Sequence, residues 1–178
     1  MARDNITVPF GYKEPAVKVK GTLIMLDSFD DWEEPQLSKL FGLAEERAFA
    51  KVVFAPQHEE TLRRMKYPCD IPFYKRIKNL NQIIELLQPH TDYVIDEWEG
   101  KRKKYTPIDT LLRFLVDKYP GPYFVYMNDW YANVFANTVE FEAWIKRLRF
   151  FIDPRFRSPL HPKILNAAGR WDELKLFE

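Results

Sequence analysis

Acidic side chains directly follow three short apolar runs of the chain, and their type and position suit metal-assisted chemistry. In chain order they are Asp27 and Asp30, then Asp96 and Glu97, then Asp129. Carboxylates that converge repel one another unless a hard cation lies between them or one of them is protonated. Mg²⁺ and Mn²⁺ take carboxylate oxygens together with water and substrate phosphates. The pattern therefore predicts a site for Mg²⁺ or Mn²⁺ if the three runs lie side by side.

Different roles are expected for these carboxylates. Asp27, Asp30 and Asp129 are the predicted metal ligands. Asp96 and Glu97 are the predicted catalytic residues, acting as a further ligand or as the base that orients water. The corresponding function is that of a divalent-metal-dependent enzyme, a hydrolase acting on a nucleotide or a nucleic-acid phosphodiester.

A tryptophan stands close behind each acidic stretch, at Trp32, Trp98 and Trp130. Indole rings at these places are suited to stacking on a base. The same residues also fit a structural interpretation. The acidic stretch before Pro35 favours the positive start of a helix, and Asp129 is suited to bonding turn backbone.

The elements that must position these side chains are indicated by alternating patterns. Short apolar runs at 22–26, 52–54, 93–95 and 123–127 predict strands. Stretches with helical spacing separate or follow them, and the clearest begins at Thr106-Pro107. Such alternation favours a parallel sheet with right-handed crossovers. We therefore predict a single three-layer α/β domain over 1–178, with a mostly parallel sheet of about four or five strands flanked by helices. An α+β fold with one strand misassigned is the alternative.

The two ends of the chain receive separate predictions. We expect residues 1–20 to form an edge strand or an arm, because Val17 and Val19 alternate with lysines. Residues 153–178 form an irregular tail that docks on the body. Its apolar anchors are Trp171, Leu174 and Phe177.

Composition narrows the class of protein. Of 178 residues, 46% are hydrophobic and 30% are charged, which excludes a disordered chain. Twenty-seven basic and 26 acidic residues leave a formal charge of +1, so the overall field does not favour nucleic acid or anionic lipid. Neither a signal peptide nor an apolar run long enough to span a bilayer is present, and a cytoplasmic protein without membrane contact is expected.

The sequence lacks the motifs that several common cofactor-binding sites and catalytic sites require. The six glycines are scattered, so neither a P-loop for ATP nor the glycine fingerprint for NAD is present. A single cysteine, Cys69, and three isolated histidines give no sign of a zinc, iron–sulfur or haem site. No serine lies in a Gly-x-Ser-x-Gly turn.

A basic run supports an alternative without catalysis. It consists of Lys101, Arg102, Lys103, Lys104 and Tyr105. Basic and aromatic side chains together neutralise phosphates and stack bases, which predicts nucleic-acid binding there. A protein-interaction role is a further alternative, because aromatic side chains are favoured at interfaces. Phe150-Phe151 and residues 155–163 would then form an arm on a protein partner.

The tripeptide Glu99-Gly100-Lys101 resembles the Glu-x-Lys of restriction-type nucleases. In that family the Glu binds metal and the Lys contacts the reacting phosphate, so the resemblance implies these roles for Glu99 and Lys101. The family's preceding Pro-Asp is not well placed in this chain. A match of three residues identifies no family.

Overall fold

The structure is a computed structural model that describes residues 20–177. Its centre is a six-stranded sheet in which every neighbouring pair is parallel. The strands are β1 (Lys20–Asp27), β2 (Phe49–Pro56), β3 (Asp92–Ile95), β4 (Tyr123–Asn128), β5 (Arg149–Asp153) and β6 (Trp171–Glu173). Their order is β3-β2-β1-β4-β5-β6. The strand order therefore reverses direction between β1 and β4.

Helices cover both faces of this sheet. They are α1 (Glu34–Glu46), α2 (Glu59–Arg64), α3 (Phe73–Leu87), α4 (Trp98–Arg102), α5 (Ile108–Lys118), α6 (Asp129–Ala136), α7 (Phe141–Arg147) and α8 (Pro162–Leu165). Successive strand residues point to opposite faces, so Ile24 and Leu26 join one apolar core and Leu23 and Met25 join the other. The predicted three-layer α/β architecture with a parallel sheet is confirmed.

Two strands were not expected, and they raise the strand count above four or five. Strand β5 contains Phe150 and Phe151, which are 2% and 1% exposed. The prediction that these two rings form an arm on a partner is therefore wrong, since both are core residues. Burial on both faces explains why this strand is a continuous apolar run and not an alternating one.

The carboxyl-terminal stretch is more regular than the predicted tail, because it contains α8 and β6. Trp171 packs against one core, and Leu174 and Phe177 pack against the other. The edge strand or arm suggested for residues 1–20 falls almost wholly outside the described residues. Within 20–177, no helix is long and apolar enough to cross a membrane.

Candidate functional site at the carboxyl edge of the sheet

Three carboxylates lie together at the end of β1 and just after it. Asp27, Asp30 and Asp31 each offer an oxygen within 4.8 Å of the others. The turn that gathers them contains Phe29 in the left-handed region, with φ of 59°. The backbone N–H of Phe29 donates to Asp27 Oδ1 at 3.0 Å, and the Ser28 hydroxyl donates to both Asp27 and Asp30. We call these three residues the acidic cluster.

Arg155 balances part of the negative charge of the acidic cluster. Its Nη1 donates to Asp27 Oδ2 at 3.0 Å and its Nη2 donates to Asp31. The Arg155 side chain is 6% exposed, Asp27 is completely buried, and the guanidinium lies 3.8 Å from the centre of the Phe177 ring. Burial lowers the pKa of Arg155, but the opposite effect of Asp27 and neighbouring acidic groups is larger. The net result is a pKa above the ordinary value of an arginine. The arginine therefore stays charged beside the cluster.

The strand neighbouring β1 adds a polar contact. Asn128 ends β4, and its Nδ2 lies 3.3 Å from Asp27 Oδ2 and 3.1 Å from the Tyr67 hydroxyl oxygen. Asp30 is half-buried and Asp31 is exposed. Burial raises the pKa of Asp31, and Arg155 opposes that change. Three carboxylates with two accessible members form a donor set of the kind that Mg²⁺ and Mn²⁺ prefer.

Asp129 does not join this cluster, although the sequence predicted it as a ligand. Its Oδ1 accepts the backbone N–H of Phe156 at 3.1 Å and its Oδ2 accepts that of Ser158 at 2.8 Å. The expected convergence of Asp27, Asp96 and Asp129 is therefore wrong. The physical reason is that Asn128, and not Asp129, is the residue that ends β4 beside Asp27.

Asp96 lies on the far side of β2 from β1, and two strand spacings amount to about 9–10 Å. The Asp96 carboxylate accepts hydrogen bonds from Lys118 Nζ at 2.9 Å, from the Tyr119 hydroxyl at 2.6 Å and from the backbone N–H of Trp98 at 2.9 Å. Glu97 is exposed next to it. The catalytic roles predicted for Asp96 and Glu97 stay predictions.

The three tryptophans behind the acidic stretches pack within the protein. Trp32 is 1% exposed. Trp98 stacks on Phe114 with ring centres 4.0 Å apart, and Trp130 donates from its indole nitrogen to the Met65 carbonyl at 2.9 Å. Trp32 therefore has no open face for a base.

Glu99 is buried beside the end of β2. One carboxylate oxygen accepts the backbone N–H of His58 at 3.0 Å and the hydroxyl of Thr61. Its other oxygen, both amide atoms of Gln57 and the Tyr131 hydroxyl have no hydrogen-bond partner within residues 20–177. Burial raises the pKa of Glu99 to about 7. Glu99 belongs to no potential metal-binding group of the described chain, contrary to what its nuclease-like tripeptide implies.

The basic run 101–105 is partly engaged within the protein. Arg102 lies 4.8 Å from the centre of the Trp98 ring and donates to the Thr106 hydroxyl at 2.8 Å. Tyr105 is partly covered by Arg64, 4.8 Å from its ring centre. The exposed members are Lys101, Lys103, Lys104 and Tyr105. The predicted nucleic-acid contact through this run stays a prediction.

Two clefts flank the acidic cluster. The first has a volume of about 890 Å³. It is lined by Pro154, Arg155, Arg157, Ser158, Glu173, Lys175 and Phe177. The second has a volume of about 490 Å³. It is lined by Glu59, Arg63, Lys66, Tyr67, Pro68, Cys69, Asp70 and Pro72. We call them the arginine cleft and the tyrosine cleft. Arg155 connects the first to the acidic cluster, and Asn128 connects Tyr67 of the second to Asp27.

The pairing of Arg155 with Asp27 was not predicted from the sequence, and neither were Tyr67 and Asn128 as site residues. The available signal for Arg155 was its place after the apolar run 150–152, where Asp153-Pro154 marks a strand end. Asn128 was visible as the last residue of the fourth apolar run. Tyr67 lies between helices and carried no signal of its own.

Comparisons with known proteins show the fold. Neither a family model nor a curated protein sequence matches the chain. Among solved structures, the chain is similar to Plasmodium falciparum nicotinic acid mononucleotide adenylyltransferase complexed with NaAD. The TM-score is 0.63 at 14% identity, and the match covers 88% of this chain and 75% of that one. The likeness shows that this chain shares the fold of that adenylyltransferase.

Proposed function

We propose that this chain binds a nucleotide with a divalent cation at the carboxyl ends of β1 and β4 and acts on the nucleotide's phosphate. The acidic cluster at the reversal of strand order is the observation that carries the proposal. In open parallel sheets, ligands bind outside the carboxyl ends of strands at such a reversal. The adenylyltransferase of the same fold acts on a mononucleotide and is complexed with NaAD, which supports this ligand class.

Asp30 and Asp31 are the residues proposed to hold Mg²⁺ or Mn²⁺. Asp27, which is completely buried at the end of β1, completes the acidic cluster beside them. The cation supplies positive charge that draws a phosphate to the cluster and stabilises charge developing on its oxygens. Arg155 fixes Asp27 and Asp31 in position through its two nitrogens. Both clefts are positioned to accept the parts of a nucleotide that extend from this phosphate.

Thermal unfolding tests the cation site. The samples contain millimolar Mn²⁺ or chelator, each with and without ATP. A ligand at a hundred times its dissociation constant stabilises the native state by about 2.7 kcal/mol. We expect the unfolding midpoint to rise with Mn²⁺ and to rise further with Mn²⁺ and ATP together.

The double variant Asp30→Asn, Asp31→Asn should lose both increases. A matched control removes the same number of carboxylates from exposed positions away from the cluster, with Asp92→Asn and Asp117→Asn. The control should retain both increases. An unchanged midpoint in Mn²⁺, or an equal loss in the two double variants, contradicts the proposal.

Phosphorus NMR of ATP incubated with the protein and Mg²⁺ then tests the reaction. Release of inorganic phosphate or pyrophosphate that depends on Asp30 and Asp31 indicates hydrolysis. Transfer requires an acceptor in place of water, so a new phosphorus signal that forms together with pyrophosphate only when a mononucleotide is added indicates nucleotidyl transfer. Binding without any turnover would reduce the proposal to a nucleotide-binding protein.

Nucleic-acid binding at the basic run is a second proposal. It is supported by three exposed lysines beside a partly exposed Tyr105. Affinity for a single-stranded oligonucleotide should fall steeply with salt concentration, because binding releases counterions. Replacing the three lysines by glutamine should abolish it, and absence of binding at low salt would contradict this second function.

A further inference from the structure

We propose that the arginine cleft binds the phosphate chain of the ligand through Arg157 and Lys175. This inference rests on the proposed function, since the same ligand would reach the acidic cluster next to it. The cleft lies at the carboxyl ends of β5 and β6, and its volume of about 890 Å³ falls within the range of small-molecule sites. Arg155 belongs both to the cleft and to the acidic cluster.

Contacts within the fold hold the segment that carries Arg157 in a defined conformation. Arg157 has φ of 52°, in the left-handed region that side-chain-bearing residues rarely adopt, and its N–H donates to the Pro154 carbonyl at 3.1 Å. The buried carboxylate of Asp129 accepts the N–H groups on either side, from Phe156 and Ser158. Such backbone conformations persist only when surrounding contacts impose them, and they concentrate at functional sites.

Charge in the cleft is available to an anion. The Arg157 side chain is exposed and has no hydrogen bond or ion pair with any residue in the described part of the chain. Lys175 contacts Glu173 at 3.3 Å, but both side chains are exposed, and such pairs are weak enough to exchange. Arg155, in contrast, already forms ion pairs with Asp27 and Asp31. Arginine and lysine without fixed partners are suited to phosphate, which a guanidinium binds through two parallel hydrogen bonds.

The nearest alternative place for a phosphate is unfavourable. A helix N-terminus attracts anions through its free N–H groups, and α1 begins three residues after Asp31. However, Glu33 and Glu34 stand at that helix start, and their carboxylates repel a phosphate. The phosphate chain is therefore directed from the cluster towards the arginine cleft.

Pyrophosphate is the probe that tests this cleft separately from the cation site. Titration calorimetry is performed with sodium pyrophosphate, chelator and no nucleotide, at low ionic strength. The double variant Arg157→Gln, Lys175→Gln should bind at least about tenfold more weakly than the unchanged chain, equivalent to roughly 1.4 kcal/mol. The matched control is Lys78→Gln, Arg113→Gln, which removes two exposed basic side chains that line neither cleft. Circular dichroism and urea unfolding show whether each variant folds.

The control variant should bind pyrophosphate as the unchanged chain does. No binding by the unchanged chain, or an equal loss in the two double variants, overturns the inference. Binding of Mn²⁺ and ATP that needs Asp30 and Asp31 but ignores Arg157 and Lys175 also overturns it, and leaves the proposed function standing. Pyrophosphate binding that needs Arg157 and Lys175, without any effect of Mn²⁺ or ATP, retains the anion site and rejects the proposed function.

Discussion

Carboxylates at the carboxyl edge of the sheet belong to two groups that differ in what occupies their oxygens. Asp96 and Asp129 accept hydrogen bonds on both oxygens from donors fixed in the fold. Asp30 and Asp31 reach solvent and take their hydrogen bonds from Ser28 and Arg155. The first group stabilises loops, whereas the second retains oxygens for a ligand. All four are aspartates that follow a strand, Asp96 and Asp129 directly and Asp30 and Asp31 within four residues. The available donors therefore decide the role.

Asp27 belongs to the acidic cluster but, like Asp96 and Asp129, accepts hydrogen bonds on both oxygens. The substitution Arg155→Met tests it with the largest expected effect. The substitution keeps much of the side-chain length but removes the cation from a fully buried carboxylate. Breaking a buried pair from one side costs about 3–5 kcal/mol, because the remaining charge has no compensation. Urea unfolding should show a loss of this size.

The matched control for this prediction is Arg113→Met, whose ion pair with Asp109 is on the surface. Its loss should stay below about 1 kcal/mol. Millimolar Mn²⁺ should restore part of the stability of Arg155→Met, since the cation replaces the missing positive charge. Equal losses in the two variants would contradict the assignment of Asp27 and Arg155 as a buried pair.

Asp129→Ala should have the next largest effect. It leaves two backbone N–H groups without their charged acceptor, and such hydrogen bonds are worth about 1.5–3 kcal/mol each. We expect a loss of about 3–4 kcal/mol in urea unfolding. Pyrophosphate affinity should fall as well, because the segment that carries Arg157 loses its support. Asp129→Asn, which keeps one acceptor oxygen, should lose less; a neutral effect of the alanine would place Asp129 with the open carboxylates.

Glu99 is intermediate, with one oxygen occupied and the other without a partner among residues 20–177. Burial raises its pKa from 4.5 to about 7, so the folded chain holds the proton more tightly than the unfolded chain does. The resulting stability is complete below the unfolded pKa of 4.5 and is lost as pH rises through about 7. The total change is on the order of 3 kcal/mol.

Urea unfolding between pH 4.5 and 8 checks this prediction. The variant Glu99→Gln keeps the shape and an acceptor oxygen but cannot titrate, so the difference between its profile and that of the unchanged chain isolates Glu99. The difference should change across pH 5 to 7 and stay constant above that range. Parallel profiles would show that the pKa of Glu99 is the same in the folded and unfolded chains, which contradicts the prediction.

Local patterns predicted most of the fold because the helices have apolar residues at helical spacing and the strands are short continuous apolar runs. Strand β5 was not predicted because a single residue, Leu148, separates it from α7. The spacing of Ile145, Leu148 and Phe151 resembles that of one continuing helix. The site was harder to predict. Asp27 was visible at the end of an apolar run, but its partner Arg155 lies 128 residues away in sequence. Their meeting depends on strand order, which no local pattern encodes.

Asp30→Asn has the smallest expected effect on stability and the sharpest effect on function. Asp30 is half-buried and its carboxylate receives a hydrogen bond from Ser28, which the amide oxygen can also accept. Stability should therefore change by no more than about 0.5 kcal/mol. Mn²⁺ affinity should fall about tenfold or more, because one carboxylate ligand has lost its charge. Calorimetric titration with Mn²⁺, beside the urea unfolding of the same sample, measures both quantities. A large loss of stability with unchanged Mn²⁺ affinity would move Asp30 into the same group as Asp129 and remove the physical distinction between the two groups.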